Sequence, residues 1–294
     1  ALPNSIFTCF RITNKECDLK FFDHLFQSNY HGSWLRKYIE VGGRAHGALS
    51  FNIKYLWDMP IALPRFEEQQ KIADCLNSLD ELIAAEDKKL STLMEHKKAL
   101  IQKLFPAEGE TMPELRFPDF KSSGEWKVTT IEKVANYENG KAHENDILES
   151  GKYIVVNSKF ISTDGEVKKY TDKANLLAEK GDILMVLSDV PNGRAIAKCY
   201  LVDENDTYTV NQRICKLSTK NINESLLFQA INRNNYFLAF DDGVKQTNLK
   251  KSDVLSCPLV LPISKHEQQK IADCLSSLDE LITSQIKKIE ALTI

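Results

Sequence analysis

Five clusters beside turns carry side chains suited to reading a polar ligand edge. Asn157 and Lys159 follow a short apolar run. Ser188, Asn192 and Arg194 surround the turn Pro191-Asn192-Gly193, and Asn211, Gln212 and Arg213 open another run. Lys245, Gln246 and Thr247 follow Gly243, as Arg44 and His46 follow Gly43. Arg and Lys match the acceptors of a guanine edge, and Asn and Gln offer the donor–acceptor pair that matches adenine, so these types on turns point to base readout. The competing reading of each is a solvated turn residue or a local cap. The neighbours Lys168 and Lys169 read first as solvated surface and second as phosphate contacts.

Other chemistries find little support. The six histidines (His24, His31, His46, His96, His143 and His266) are dispersed, without metal-ligand spacing. Neither a phosphate-cradling GxxxxGK[ST] loop nor a GxGxxG fingerprint occurs. No catalytic residue, cofactor or metal is therefore expected. Asp182, in Lys-Gly-Asp-Ile-Leu, could serve a nuclease site but reads better as a turn aspartate leading a buried strand. Glu68, Gln69 and Gln70 open a helix, where an acidic side chain complements the dipole, so a structural or docking role is expected of them.

The elements that position the clusters are set by an internal repeat. Residues 68–83 read EQQKIADCLNSLDELI, and the same sixteen recur 199 positions later with a single change, Asn77 to Ser276. A repeat on this scale has to be settled before the fold is assigned. Ile72, Leu79, Leu93 and Leu100 fall in one seven-residue series, and Leu76, Ile83, Leu90 and Leu104 in a second. That alternation is a coiled-coil seam. It predicts a helix over about 67–104, roughly 55 Å long at the α-helical rise. The second copy keeps phase through Ile271, Leu275, Leu278, Ile282, Ile289 and Leu292. Two matching seams predict an antiparallel helix pair with pseudo-twofold symmetry. The polar seam positions Glu86 and Gln285 are equivalent under the repeat; they either set register or mark looser packing.

Around the helices the pattern is mixed, an α+β fold. Residues 106–124, rich in Pro, Gly, Ser and acidic side chains, read as a linker. A second globular unit, 125–262, contains strand-like runs at 153–156, 182–187, 196–202 and 213–217, then a helix near 224–232. Residues 1–64 echo only the end of that unit: 18–27 parallels 224–233, and Leu63-Pro64 parallels Leu261-Pro262. The chain thus reads as a partial first unit (1–64), a first long helix (65–105), the linker, a complete second unit and a second helix (263–294).

Composition narrows the class. Hydrophobic residues are 43% and charged residues 27% of the 294, an ordinary globular balance. There is no apolar run of the roughly 18 residues a membrane span needs, and the start of the chain lacks a secretory pattern. The seven cysteines form no CxxC pair, which fits a reducing cytoplasm. A net charge of −3 counts mildly against a free-standing nucleic-acid binder.

A globular unit ending in an apolar Leu-Pro strand, then EQQKIA, then a long LxxLDxLI helix, all occurring twice, resembles the specificity subunit of type I restriction-modification enzymes. MPELRFPDF (112–120), GEW (124–126), KGDIL (180–184) and both EQQKIADCL helix starts carry the likeness, which covers essentially the whole chain; the amino-terminal half of a first recognition domain is the departure. The resemblance implies a subunit without chemistry of its own. Its globular units are target recognition domains, each reading half of a split sequence in double-stranded DNA. Its two long helices set the spacing between the halves and dock two modification (methyltransferase) subunits, which recruit the restriction subunits. The absence of an Asn-Pro-Pro-aromatic tetrapeptide argues against this chain being the methyltransferase itself. The rival reading is a docking scaffold or half-subunit that does not recognise DNA alone. Self-association of a partial first unit is a further expectation; a membrane partner is not.

Overall fold

The chain divides into two compact units, one of Ala1–Leu90 with Gln285–Ile294 and one of Ser91–Ser284. The computed structural model describes residues 9–39, 51–143 and 145–293. In the first unit, α1 (Leu19–Gln27) and α2 (Tyr30–Leu35) precede α3 (Lys54–Trp57) and the long α4 (Phe66–Leu104), which passes into the second unit at Ser91. Asp18 starts α1 because its carboxylate accepts from the Phe21 N–H at 2.9 Å, which satisfies a donor the helix leaves unpaired. Leu35, Leu56 and Met59 form a small core.

The second unit runs β1 (Lys127–Thr130), α5 (Ile131–Val134), β2 (Ala135–Asn139), β3 (Tyr153–Val156), α6 (Ser158–Ser162), β4 (Tyr170–Thr171), β5 (Leu177–Ala178), β6 (Ile183–Val186) and β7 (Ser188–Asp189). It continues with β8 (Cys199–Leu201), β9 (Tyr208–Val210), β10 (Ile214–Thr219), α7 (Glu224–Ile231), α8 (Asn235–Leu238), β11 (Thr247–Asn248), α9 (Lys251–Leu255) and β12 (Pro258–Leu261). Then comes α10 (Lys265–Thr293), which re-enters the first unit at Gln285. One four-stranded sheet has the order β2-β10-β6-β8 and is antiparallel. A second, β4-β3-β9-β5, has β3 and β9 parallel.

β6 explains the layering. Its four residues are all buried, and successive side chains of a strand point to opposite faces. Ile183 and Met185 enter a core shared with Trp126, Leu226 and Leu275. Leu184 and Val186 enter another, with Phe160 and Val210. On β10, Lys216 falls between the inward Cys215 and Leu217. Its buried ammonium is paired with Glu138 at 2.8 Å and bonded to the Leu177 carbonyl at 3.2 Å. Asp182 accepts from the Glu179 N–H at 2.9 Å and from the Ser218 hydroxyl at 2.6 Å. Its carboxylate fixes the turn that starts β6, the structural role expected of it.

The long helices pack as an antiparallel pair. In the first unit Glu86 meets Gln285 and Lys288, and in the second Lys97 meets Asp279. Partner numbers fall as α4 advances, as an antiparallel pair requires. The seam is not uniformly covered, however. Ile271 and Leu275 are 2% and 0% exposed, and Leu278, Ile282, Ile289, Ile72, Ile83, Leu90 and Leu93 are partly buried. Leu76 and Leu79 are both 37% exposed. These last two do not lie in a buried helix–helix seam. Leu275, the repeat mate of Leu76, is covered by the core of the second unit.

The 106–124 stretch is a brace. Arg116 donates through Nε and Nη2 to the two carboxylate oxygens of Glu267 at 2.7 and 2.9 Å, and through Nη1 to the carbonyls of Ser123 and Gly124. Trp126 adds an indole N–H to Glu267 Oε1 at 3.2 Å. Lys270 pairs with Asp119 and lies over the Phe117 ring. A planar guanidinium that binds a carboxylate at two points fixes both distance and orientation, so residues 112–126 clasp the first turns of α10.

Candidate nucleic-acid interface

The candidate residues of the second unit gather where strands of both sheets end. β3 and β9 run parallel in register, Val156 beside Val210, so Asn157 and Asn211 emerge at the same end. The Asn211 N–H donates to the Val156 carbonyl at 3.0 Å. Beyond it Arg213 takes a left-handed φ of 67°, and its carbonyl accepts from the Leu187 N–H at 2.8 Å. That bond places the 211–213 turn against the end of β6, from which the Ser188–Arg194 loop departs.

A second crossing ties that loop to the one after Gly243. β7 pairs with β11, Ser188 opposite Asn248 and Asp189 opposite Thr247. Gln246 donates to the Ser188 hydroxyl at 2.6 Å, and Asn192 donates to the Gly243 carbonyl at 3.1 Å. The Asp189 carboxylate accepts from the N–H groups of Val190, Ala195 and Ile196. Gly193 lies so close to it that a Cβ would sit 2.1 Å from an Asp189 oxygen, so a side chain here would have to displace the carboxylate from its backbone bonds. Asp242 accepts from the N–H groups of Lys245 and Val244, and the first of these bonds is the main reason its pKa lies below the usual carboxylate range. The loops are thus shaped by carboxylates that use their charge on backbone.

Within this framework the candidates divide. Lys159, Asn192, Arg194, Gln212, Arg213, Lys245 and Gln246 are exposed. Among the described residues Lys159, Arg194, Arg213 and Lys245 have no ion-pair partner, so four cations are free to meet phosphate or base edges. Ser188 and Thr247 are buried, their hydroxyls engaged by Gln246 and Asp241; they hold the loops. Asn157 caps α6 by accepting from the Phe160 N–H at 2.9 Å, which leaves its amide group for other contacts. Asn211 is half-buried, with Oδ1 unpaired. Arg44 and His46 lie outside the described residues.

Lys141, which none of the sequence patterns singled out, joins the cluster: it is exposed and bridges to Asn211. Its position depends on a pairing between residues 70 apart, which no local motif signals. The Arg116–Glu267–Trp126 clasp was likewise unforeseen, although MPELRFPDF, GEW and EQQ were each visible. Among the described residues no helix is long and apolar enough to cross a membrane, and no group of His, Cys, Asp and Glu could hold a metal ion.

Comparison with known proteins bears on what carries these loops. The model of the type I restriction modification DNA specificity domain matches residues 2–95 and 123–293. The specificity subunit of the type I restriction enzyme MjaVIII of Methanocaldococcus jannaschii is 27% identical over 263 residues, 81% of this chain and 60% of that protein. This chain therefore spans less than two thirds of that relative's length. The crystal structure of the S subunit of a type I system from M. genitalium matches with a TM-score of 0.61 at 17% identity, covering 95% of this chain and 70% of its own. A second solved chain, from work on complex assembly and conformational transition of the type I R-M system, matches with a TM-score of 0.54 at 16% identity over 93% of this chain and 67% of its own. At these identities the structures establish the shared fold. With matches over most of its length to the family model, in both halves of its repeat, the chain belongs to the type I restriction-modification DNA specificity family.

Proposed function

We propose that the chain is a non-catalytic specificity component that reads a half-site of a bipartite DNA target through its 125–262 domain. The observation that carries this reading is the convergence of four turns, 157–159, 188–194, 211–213 and 243–247, into one surface. Four cations without an ion-pair partner among the described residues, the exposed Gln212 and the amide group of Asn157 are available there, while the carboxylates of Asp189 and Asp242 bond backbone. Phosphate contacts position a protein on duplex DNA and base contacts specify the sequence, and this surface has side chains for both. The net charge of −3 is compatible if partner subunits supply much of the phosphate affinity.

The long helices serve as spacer and dock in this reading. Leu82 and its repeat mate Leu281 are 42% and 55% exposed. A matched pair of exposed apolar side chains suits two identical partners, the methyltransferase subunits, which in turn would hold the restriction subunits. Residues 1–64 act as a partial first recognition domain, 65–105 and 263–294 as the repeated helices, and 106–124 as the brace between them. The scaffold alternative draws on the exposure of Leu76 and Leu79, which leaves the first unit without the cover its twin has.

The test is selection from a random duplex library using the chain co-purified with its modification subunits. Enrichment of one half-site is expected. A stable complex that enriches nothing would overturn DNA reading and favour the scaffold.

A further inference from the structure

Two apolar side chains stand among the polar turns of the 125–262 domain. Val244 is 76% exposed, more than any other large apolar side chain among the described residues, and Val190 is 64% exposed. A single exposed valine on a surface is ordinary. These two sit on the loops that the fold ties together. Val190 follows Asp189 of β7 and precedes Pro191-Asn192, while Val244 follows Gly243. The Asn192 amide donates to the Gly243 carbonyl, 51 positions away, at 3.1 Å, and the β7–β11 pairing holds the same loops at their bases. Each valine has a close neighbour in sequence, Arg194 or Lys245, that is exposed and has no ion-pair partner among the described residues.

The backbone is fixed at both positions. The Val190 N–H donates to Asp189 Oδ1 at 2.9 Å, and its carbonyl accepts from the Gly193 N–H at 2.9 Å. Pro191 in the second place of that turn and Asn192 in the third, with a left-handed φ of 54°, suit it. In the other loop the N–H groups of Gly243, Val244 and Lys245 donate to the carboxylates of Asp241 and Asp242 at 3.0, 2.9 and 3.0 Å. Valine has one side-chain torsion, and branching at Cβ restricts it. Little conformational entropy therefore remains to be lost when either side chain is covered.

We propose that Val190 and Val244 read thymine methyl groups in the major groove of the half-site. The inference rests on the reading of this domain as one that recognises a DNA half-site, and it adds two specificity-determining residues to that reading. Thymine carries the one methyl group in the major-groove pattern of the four bases. Hydrogen-bonding side chains such as Arg194, Gln212 and Lys245 tell donors from acceptors and do not sense that methyl group. An apolar side chain on the same loops supplies the missing discrimination, because valine and methyl group leave water together.

The test uses the chain co-purified with its modification subunits and a duplex carrying the half-site that library selection returns. Each thymine is replaced in turn by deoxyuridine, which lacks only the C5 methyl group and keeps every hydrogen-bonding group. Fluorescence anisotropy should show affinity falling about fourfold at one position per valine, the worth of one buried carbon. At one such position the difference should vanish in Val190→Ala, and at the other in Val244→Ala, because the base change and the protein change remove the same contact. Both variants should melt at the wild-type temperature, since solvent already reaches these side chains. Selective binding indifferent to every deoxyuridine replacement would overturn this inference and leave half-site reading standing. A methyl effect that survives both variants would do the same. Failure to enrich any sequence would overturn half-site reading itself, and this inference with it.

Discussion

Gln285 donates its side-chain amide to both the backbone carbonyl and the carboxylate of Glu86, at 3.0 and 2.7 Å, and the two residues lie 199 positions apart. That separation is the period of the repeat. Each of the two therefore touches its own repeat mate within the first unit. Of the two sequence readings for these positions, register setting is the one the geometry supports. A one-turn slip would leave the buried Gln285 amide without an acceptor, at the cost of an unmade hydrogen bond.

The Glu86 carboxyl is held below its ordinary range, first by its bond to Lys288 and then by Gln285. A group whose folded pKa is depressed stabilises above its unfolded pKa and loses that contribution as pH falls through the folded value. The melting-temperature difference between wild type and Glu86→Gln should therefore be full at neutral pH and shrink as pH drops below about 4.5. A difference that persists unchanged into strong acid would contradict the ion pair.

Arg116→Ala should be severely destabilising, by about 3–5 kcal/mol, because it strands the buried Glu267 carboxylate. Calorimetric melting of this variant beside Glu68→Gln makes the contrast direct, since the same repeat position is clasped in one copy and, among the described residues, exposed without a clasp in the other. Equal losses in the two variants would show that the clasp does not hold the second helix.

Leu275→Ala should cost about 2–5 kcal/mol as a cavity in a closed core. Leu76→Ala, at the equivalent position, should cost under about 1 kcal/mol because solvent already reaches the site. Leu79→Asp follows the same reasoning: with Leu79 37% exposed, the charge stays hydrated and the helix pair survives. Urea unfolding midpoints read all three variants.

On the candidate interface, Arg194→Ala should lower affinity for a selected half-site by about 1–3 kcal/mol and relax preference at one base position. Lys159→Ala should weaken binding to all sequences alike and make the salt slope shallower by about one. Ser188→Ala should lower stability before it alters base preference, since Ser188 is an internal partner of Gln246. A Ser188→Ala variant with intact stability and changed specificity would reverse the roles assigned to these side chains.

The repeat and its consequences were determined by sequence alone. The helix expected from about residue 67 to 104 is Phe66–Leu104, the one expected near 224–232 is Glu224–Ile231, and the run at 153–156 is β3. These are local properties: apolar spacing, a capping Asn and a Pro at the boundary act over a few residues. The equivalence of Glu86 and Gln285 was also legible, though not that the two touch. Tertiary structure alone decided how the sides of the repeat differ. Leu76 and Leu275 sit in the same sequence context, yet one is 37% exposed and the other 0%, because burial depends on what a distant segment lays over the helix. The same reason hid the clasp of Arg116 on Glu267, 151 positions away, and the joining of Ser188 to Gln246. Periodicity reports which face of an element is apolar; which surface covers that face is settled by long-range packing, and among the described residues Leu275 is covered where Leu76 is not.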